Sequence, residues 1–344
     1  MGQSSIPRNE DGSPRFARGW YVLGASEDFA AGEPVAARYF GVDLVIFRGE
    51  DGKLGLLDAY CPHLGAHLAH GGKVEGGALR CPFHGWRFER DGTCSDVPYG
   101  TRIPKSACVR SWTLLERNGL AFVWQDPDGN APDFEIPVLE EWGKPGWTTW
   151  KISEREIRTH PREIVENVAD VAHFKVVHGL TGVEHFENIY DRHMATQIMV
   201  GTGTSRGVRT EATYYGPAYQ ITRMQSLVES RLLNSHIPVD EDKLILRFGV
   251  MIQESEFSAE DKRQIARSLK NLGLDENFEL SKKNLGYVHQ GIVDNLTKGY
   301  HEDVDIWEYK VWRDNPLLCD GDGPIPKLRR WYSQFYKPAV AAQG

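Results

Sequence analysis

Between Trp20 and about Trp124 the chain alternates short apolar runs with turn signals. W-Y-V, P-V-A-A-R-Y-F, D-L-V-I-F-R, K-L-G-L-L-D-A-Y, W-R-F-E and L-A-F-V-W each have the length and the β-branched or aromatic content of a strand. Glu50-Asp51-Gly52, Arg90-Asp91-Gly92 and Asn118-Gly119 stand between them and supply residues that tolerate positive φ. The pattern predicts a small antiparallel β domain. The segment D-P-D-G-N-A-P-D-F-E-I-P (126–137) breaks the rhythm with Pro, Gly and Asp. We therefore expect a polar N-terminal segment over 1–15, a β domain over 16–130 and a second domain over 131–344.

In the second domain the period changes. Residues 161–178, P-R-E-I-V-E-N-V-A-D-V-A-H-F-K-V-V-H, begin on a proline suited to a first helical turn and end before Gly179. They predict one helix. From Met194 to Gln253 apolar and polar residues alternate, as in A-T-Y-Y, Y-Q-I-T-R-M and K-L-I-L-R-F-G-V-M-I, which predicts an antiparallel sheet. The remainder is expected to be mostly helical, making the whole chain α+β. No internal repeat or low-complexity stretch is present.

Composition bounds the function. The 344 residues suffice for roughly two domains, and 40% apolar residues with 11% aromatics supply a core. A formal net charge of −8 argues against a nucleic-acid partner; the K-L-R-R run (327–330) and Lys282-Lys283 read as solvated faces. No apolar run approaches the length of a membrane span. The first fifteen residues lack the apolar stretch of a secretory signal. The opening Met-Gly fails as a myristoylation signal because Ile6 stands where Ser or Thr is required. The five cysteines are an odd number; Cys94, Cys108 and Cys319 read as free thiols in a reducing cytoplasm.

The strongest chemical signal runs from Cys61 to His84. C-P-H and C-P-F-H each offer a thiolate and an imidazole: Cys61 with His63, and Cys81 with His84, with seventeen residues between His63 and Cys81. Such a quartet can hold a tetrahedral zinc or a [2Fe–2S] cluster with thiolates on one iron and imidazoles on the other. Mixing Cys and His within each loop suits a cluster whose two irons differ, whereas zinc fingers pair like with like. Pro62 and Pro82 fix the backbone after each Cys, while Gly65 and Gly85 allow close approach to sulfide. His67 and His70 fall outside the pattern and read as exposed loop histidines.

A second constellation lies in the 161–178 segment: Asn167, Asp170, His173 and His178. In a regular helix His173 and His178 would sit about 140° apart, so one metal could take both only if the helix is unwound or bulged. The alternative is a pair of core histidines. A facial triad of two His and one carboxylate, the arrangement that holds non-haem Fe(II), needs a third ligand. Taking 285–310 as one helix, Leu285, Ile292, Leu296, Ile306 and Trp307 form an apolar stripe that Asp303 interrupts, while Glu302 and Asp305 lie off it. Gly291 or Gly299 could break that helix and reset the angles. A carboxylate on a buried face needs a partner, which makes Asp303 the candidate ligand.

These motifs resemble the Rieske non-haem iron oxygenases. The cluster pattern is matched at Cys61, His63, Cys81 and His84 (loops 61–66 and 81–86), the two-His motif at Asn167, Asp170, His173 and His178, and the later acidic ligand, in an E-D context, at Asp303. The last quarter, from Asp303 to Tyr336, is similar to the branch containing 3-ketosteroid 9α-hydroxylase oxygenase components and cholesterol 7-desaturases; plain packing of Leu328, Trp331 and Phe335 at helical spacing explains part of it equally well. The resemblance implies a Rieske [2Fe–2S] domain followed by a helix-grip catalytic domain holding one mononuclear Fe(II). It also implies a homotrimer in which Asp170, with Asn167 nearby, links that iron to the cluster of a neighbouring subunit, accepting a hydrogen bond from its His84. The implied activity is a monooxygenase component that hydroxylates, desaturates or demethylates a hydrophobic, steroid-like substrate. G-T-G-T-S-R-G (201–207) fails the dinucleotide-binding context, so O₂ reduction needs electrons from a separate flavin-containing, ferredoxin-type reductase. Three other readings stay open: an aromatic-acid or alkaloid oxygenase of the same family, a Rieske electron carrier without oxygenase activity, and a zinc-stabilised binding module. Phe186, Tyr190 and Phe248 are candidate pocket residues.

Overall fold

A computed structural model describes residues 7–202, 208–226, 228–253 and 285–337. The helical expectation for 254–284, the Lys282-Lys283 pair, most of G-T-G-T-S-R-G and the Ile6 reading lie outside these residues. The described chain forms two compact units, one comprising 7–138, Ile237–Leu244 and 335–337, the other Leu139–His236 and Ile245–Gln334.

The first unit contains ten short strands: β1 (Gly19–Ala25), β2 (Val35–Tyr39), β3 (Val42–Arg48), β4 (Leu54–Asp58), β5 (Lys73–Glu75), β6 (Ala78–Arg80), β7 (Arg87–Phe88), β8 (Cys94–Asp96), β9 (Leu114–Arg117) and β10 (Leu120–Gln125). They make three antiparallel sheets, β1-β10-β9, β2-β3-β4 and β5-β6-β7-β8. Asn118 and Gly119 both have positive φ (57° and 74°) and close the β9–β10 hairpin, as an Asn-Gly pair should. β5, β6, β8 and β9 escape sequence periodicity because three or four residues are too few to show a period. Val45, Phe47, Leu57, Leu68, Leu79 and Phe88 form a buried core that also contains Cys61, Cys81 and Trp86. The two cysteine loops, between β4 and β5 and between β6 and β7, thus hang from that core. His67 is half-buried against Tyr60, which corrects its reading as an exposed histidine; His70 is exposed.

Most of the second unit is one sheet, built by β11 (Lys151–Ile157), β12 (Gly182–Asp191), β13 (Met194–Thr202), β14 (Val208–Tyr215), β15 (Tyr219–Gln225), β16 (Glu229–Asp240) and β17 (Lys243–Ile252) in the order β11-β17-β16-β15-β14-β13-β12, with the β16–β17 turn (Ile237–Leu244) counted in the first unit. The sheet expected from Met194 onward is therefore extended by both edge strands, whose frequent charges (K-I-S-E-R-E-I, G-V-E-H-F-E-N-I-Y-D) mask their strand character. Its helices are α1 (Pro161–Val165), α2 (His173–Val176), α3 (Leu285–His301), α4 (Val304–Tyr309) and α5 (Ile325–Ser333). Ile292, Val293, Leu296 and Tyr300 of α3 pack on Phe248, Val250 and Ile252 of β17.

Two expected helices are each split in two. Residues 161–178 form α1, a 3₁₀ turn over Glu166–Val168, an unwound stretch, and then α2; His178 lies beyond α2, just before Gly179 at φ 65°. The 285–310 helix continues through Gly291 and Gly299 and breaks instead at Glu302-Asp303. That break rotates Ile306 off the apolar stripe to 46% exposure, while Trp307 stays buried. Leu328, Trp331 and Phe335 are all buried, as plain packing requires.

The tight turn at Gly92 offers a stability test. Its φ is 84° and a Cβ there would lie 1.8 Å from the Val109 carbonyl oxygen, whereas Gly52 (φ 78°) has nothing within 4 Å of a Cβ. Gly92→Ala should destabilise the N-terminal unit by about 3 kcal/mol and Gly52→Ala by about 1 kcal/mol. Melting curves of the two purified variants check the order; equal midpoints would show that the loop at 109 simply moves aside.

Candidate metal centres

The two cysteine loops have one local geometry. In each, the Cys backbone N–H donates to the carbonyl five residues on (Cys61 to Ala66, 2.9 Å; Cys81 to Trp86, 2.8 Å), and the following Gly donates back to the Cys carbonyl (Gly65 to Cys61, 2.9 Å; Gly85 to Cys81, 3.1 Å). Gly65 and Gly85 adopt φ of 75° and 74°, so conformation alone requires glycine at both positions. Arg80 braces the second loop, donating to the Gly85 carbonyl at 2.6 Å while pairing with Glu75 (2.7 Å) and Asp96 (3.0 Å).

Both loops bring their side chains together. The His63 and His84 rings lie 4.6 Å apart between centroids, and His63 stacks on Trp86 at 4.8 Å and 8°. Trp86 is held in turn by donating its indole N–H to the Tyr99 hydroxyl at 2.9 Å. His63 Nδ1 is buried with no hydrogen-bond partner, an unsatisfied state that a metal bond would resolve. Burial pushes the Cys61 thiol up to about 11; a hydrogen bond from the His63 backbone opposes this, and the neighbouring Cys81 adds to it. Two buried thiols side by side are uncomfortable as thiolates until a cation neutralises them. The residues present thus fit a positively charged group, and one thiol with one imidazole in each of two facing loops fits a diiron cluster.

The second constellation is the one trio of potential ligands, among the described residues, whose donor atoms all lie within 4.8 Å of one another: His173, His178 and Asp303. The split helices bring them together. Asp170 accepts from the backbone N–H groups of Ala172 (3.0 Å) and His173 (3.2 Å), an Asx-type turn that leads from the unwound stretch into α2. His173 Nδ1 is 2.9 Å from the Asp170 carbonyl oxygen; donation there fixes the tautomer and leaves Nε2 as the free nitrogen. His178 Nε2 faces Asp303 Oδ2 at 3.3 Å and its Nδ1 faces Glu302 Oε2 at 3.5 Å. Burial lowers the His178 imidazolium, but Asp303 and Glu302 outweigh it and the net shift is upward. Asp303 itself is only 6% exposed, at the break between α3 and α4.

Asp170 and Asn167 stay outside the trio. Burial raises the Asp170 carboxyl, yet the His173 and Ala172 hydrogen bonds prevail and hold it below the usual carboxylate range. Asn167 accepts from the Trp307 indole N–H at 3.3 Å. Phe248 stacks on Tyr300 at 4.3 Å, and Phe186 lies 6.2 Å from Phe174; Tyr190 neighbours Trp331 instead. No sequence signal points to Glu302 beside His178, or to Arg80 and Tyr99 behind the cluster loops. An Arg-turn-Cys juxtaposition across β6 and β7 carries no signature.

Comparison with known proteins identifies the family. Residues 19–111 match the Rieske [2Fe-2S] domain, and residues 123–280 and 274–336 match the 3-Ketosteroid 9alpha-hydroxylase C-terminal domain. A probable 3-ketosteroid-9-alpha-monooxygenase, oxygenase component, from Rhodococcus rhodochrous is 41% identical over 94% of this chain and 80% of its own length. The corresponding oxygenase component of Mycobacterium tuberculosis is 37% identical over 94% and 82%, and cholesterol 7-desaturase nvd of Hemicentrotus pulcherrimus 32% over 96% and 71%. Among solved structures, dicamba monooxygenase bound to dicamba superposes with a TM-score of 0.65 at 21% identity, covering 92% of this chain and 96% of that one. The QL mutant of Pseudomonas putida CBB5 NdmA with theobromine gives 0.70 at 19%, covering 92% and 90%; at such identities these two establish the fold.

A cluster module followed by an α+β domain is the architecture of an iron–sulfur redox enzyme. The chain belongs to the Rieske non-haem iron oxygenases, in the branch of the 3-ketosteroid 9α-hydroxylase oxygenase components. It is the oxygenase component of a multicomponent monooxygenase, which takes O₂ and draws its electrons from a separate reductase.

The raised Cys61 thiol makes a testable statement about the cluster-free protein. A thiol with its pKa near 11 is protonated at pH 8, so iodoacetamide should modify exposed Cys108 and Cys319 and spare Cys61 until the pH approaches 11. Peptide mapping after alkylation reads this directly; Cys61 labelling at pH 8 as fast as Cys108 would show an ionised thiolate.

Proposed function

We propose that His173, His178 and Asp303 hold one ferrous ion and that the enzyme hydroxylates an unactivated C–H bond of a steroid-like substrate. The observation that carries this is the convergence of two imidazoles on a buried carboxylate, a donor set suited to non-haem Fe(II) with open positions. Bound there, Fe(II) supplies the centre at which dioxygen is reduced by electrons passed singly through the cluster. The chain's own residues do the rest. Asp170 locks His173 so that one nitrogen alone is available. Asp303 brings a negative charge into a site where a neighbouring Phe248–Tyr300–Trp307 ring cluster limits water. The steroid class rests on the relatives' names: several are 3-ketosteroid monooxygenase components and one is a cholesterol desaturase. Desaturation is the second reading of the reaction.

The same reading makes the working form a head-to-tail homotrimer in the cytoplasm, with Asp170 accepting a hydrogen bond from His84 of the partner subunit and a flavin-containing, ferredoxin-type reductase as electron donor. Apolar exposure supports the assembly. Leu64 (64%) and Phe83 (62%) adjoin the cluster histidines, and Val176 (83%) sits on α2 beside the iron site. The Asp170 side chain, 36% exposed, can still reach outward. An electron carrier would have no use for a buried Asp303 facing two imidazoles.

Two measurements test the proposal. With a surrogate reductase, 3-ketosteroids should stimulate O₂ uptake and yield oxygenated product, while aromatic acids and alkaloids should not; the reverse pattern would replace the substrate class. Asp303→Ala should lower iron from about three to about two per chain with about two acid-labile sulfides retained. Turnover should vanish while the cluster's visible spectrum persists, and an unchanged rate would remove Asp303 from the ligand set.

A further inference from the structure

The break between α1 and α2 leaves a buried carbonyl that the helix can no longer satisfy. In a continuous helix the Val168 C=O would accept the Ala172 N–H, but that N–H is donated to Asp170 Oδ1. Val168 is 4% exposed and Ala169 fully buried, so water cannot serve the orphan. Two side-chain amides reach it instead. Asn188 Nδ2 donates to the Val168 oxygen at 2.8 Å and Gln197 Nε2 at 3.1 Å.

These two residues are directly opposite each other across the β12–β13 ladder, so one cross-strand pair delivers both donors to one acceptor. Gln197 belongs to the buried face of β13, with Ala195, Met199 and Gly201 as its same-face neighbours. A polar side chain 4% exposed on that face is costly unless bonded. Asn188 pays in another way, because its Oδ1 is buried without a hydrogen-bond partner. Turning the amide over would satisfy nothing and would set oxygen against oxygen at Val168. The arrangement favours the Val168 contact above the side chain's own satisfaction. The far side of the same stretch is closed by Asp322, whose carbonyl accepts from the Val171 N–H at 3.4 Å, and by Gly323, where a Cβ would lie 2.1 Å from the Ala169 oxygen.

We infer that Asn188 and Gln197 are positioning residues for the mononuclear iron: by capturing the Val168 carbonyl they keep residues 169–172 unwound, which sets Asp170 and, through it, the orientation of His173. Without the two donors, the cheapest way to satisfy Val168 is to restore its helical bond to Ala172. That would withdraw the Ala172 N–H from Asp170 and swing His173 toward the divergent geometry of a regular helix. This inference rests on the proposal that His173, His178 and Asp303 bind iron.

The test uses Asn188→Asp and Gln197→Glu, which keep shape and replace an N–H donor by an oxygen facing Val168. The iron-loaded full chain is reduced and treated with nitric oxide, and the EPR signal of the ferrous nitrosyl is recorded beside the cluster's visible spectrum. Both variants should keep the cluster spectrum, show an altered nitrosyl signal, and bind mononuclear iron about tenfold more weakly against a chelator. Asn188→Ala, which leaves Gln197 as a donor, should fold even where Asn188→Asp does not, and should show a smaller change of the same kind. Folded variants with the wild-type nitrosyl signal and iron affinity would overturn the inference. A wild-type protein that gives no nitrosyl signal would overturn the underlying iron proposal instead.

Discussion

A carboxylate kept at 6% exposure is the constraint around which the second unit is arranged. Asp303 cannot stay charged in an apolar environment without a compensating cation. In the metal-free chain that role falls to His178, whose proton affinity rises as a result. The pair is an imperfect solution, since the distance is 3.3 Å and Glu302 competes from the other ring nitrogen. The proposed divalent ion would satisfy Asp303 and both imidazoles at once, which a single proton on His178 does not.

Bringing the three side chains together cost two helices their continuity. This explains what could and could not be read in the sequence. The Cys and His spacing of the cluster loops is local, so the quartet Cys61, His63, Cys81 and His84 is legible without any fold. Asp303 is legible for a different reason: it interrupts an apolar stripe, and burial of charge has few innocent explanations. The helix that carries those angles ends at His301, so the apolar stripe places Ile306 on the buried side, where it is 46% exposed, and leaves out Glu302, which faces His178. Trp307, four residues past Asp303, is buried nonetheless.

The breaks themselves were invisible because their causes are tertiary. Nothing in E-N-V-A-D-V-A-H opposes a helix by propensity, and the only local hint was the five-residue spacing of His173 and His178. The unwinding is imposed from outside, by strand side chains at Val168 and by the 322–323 backbone at residues 169–171. Edge strands β11 and β12 were missed on similar grounds: their charge pattern reads as a surface loop, and only pairing to β17 and β13 defines them.

The cluster loops and the proposed iron site face opposite problems of access. Electrons must reach the cluster from another protein, so its loops end in exposed Leu64 and Phe83 and leave the histidines near the surface, while the thiols stay in the core. Imidazole ligands make this division workable: a thiolate at the surface would be open to oxidation and proton exchange, whereas a neutral ring tolerates water and still conducts an electron to its iron. A centre that activates oxygen has the reverse requirement. In the proposed iron site the carboxylate is buried, Phe174 lies 4.1 Å from His173, and Tyr300 packs against Phe248 and Trp307; such apolar walls would shield a reactive oxygen species from water.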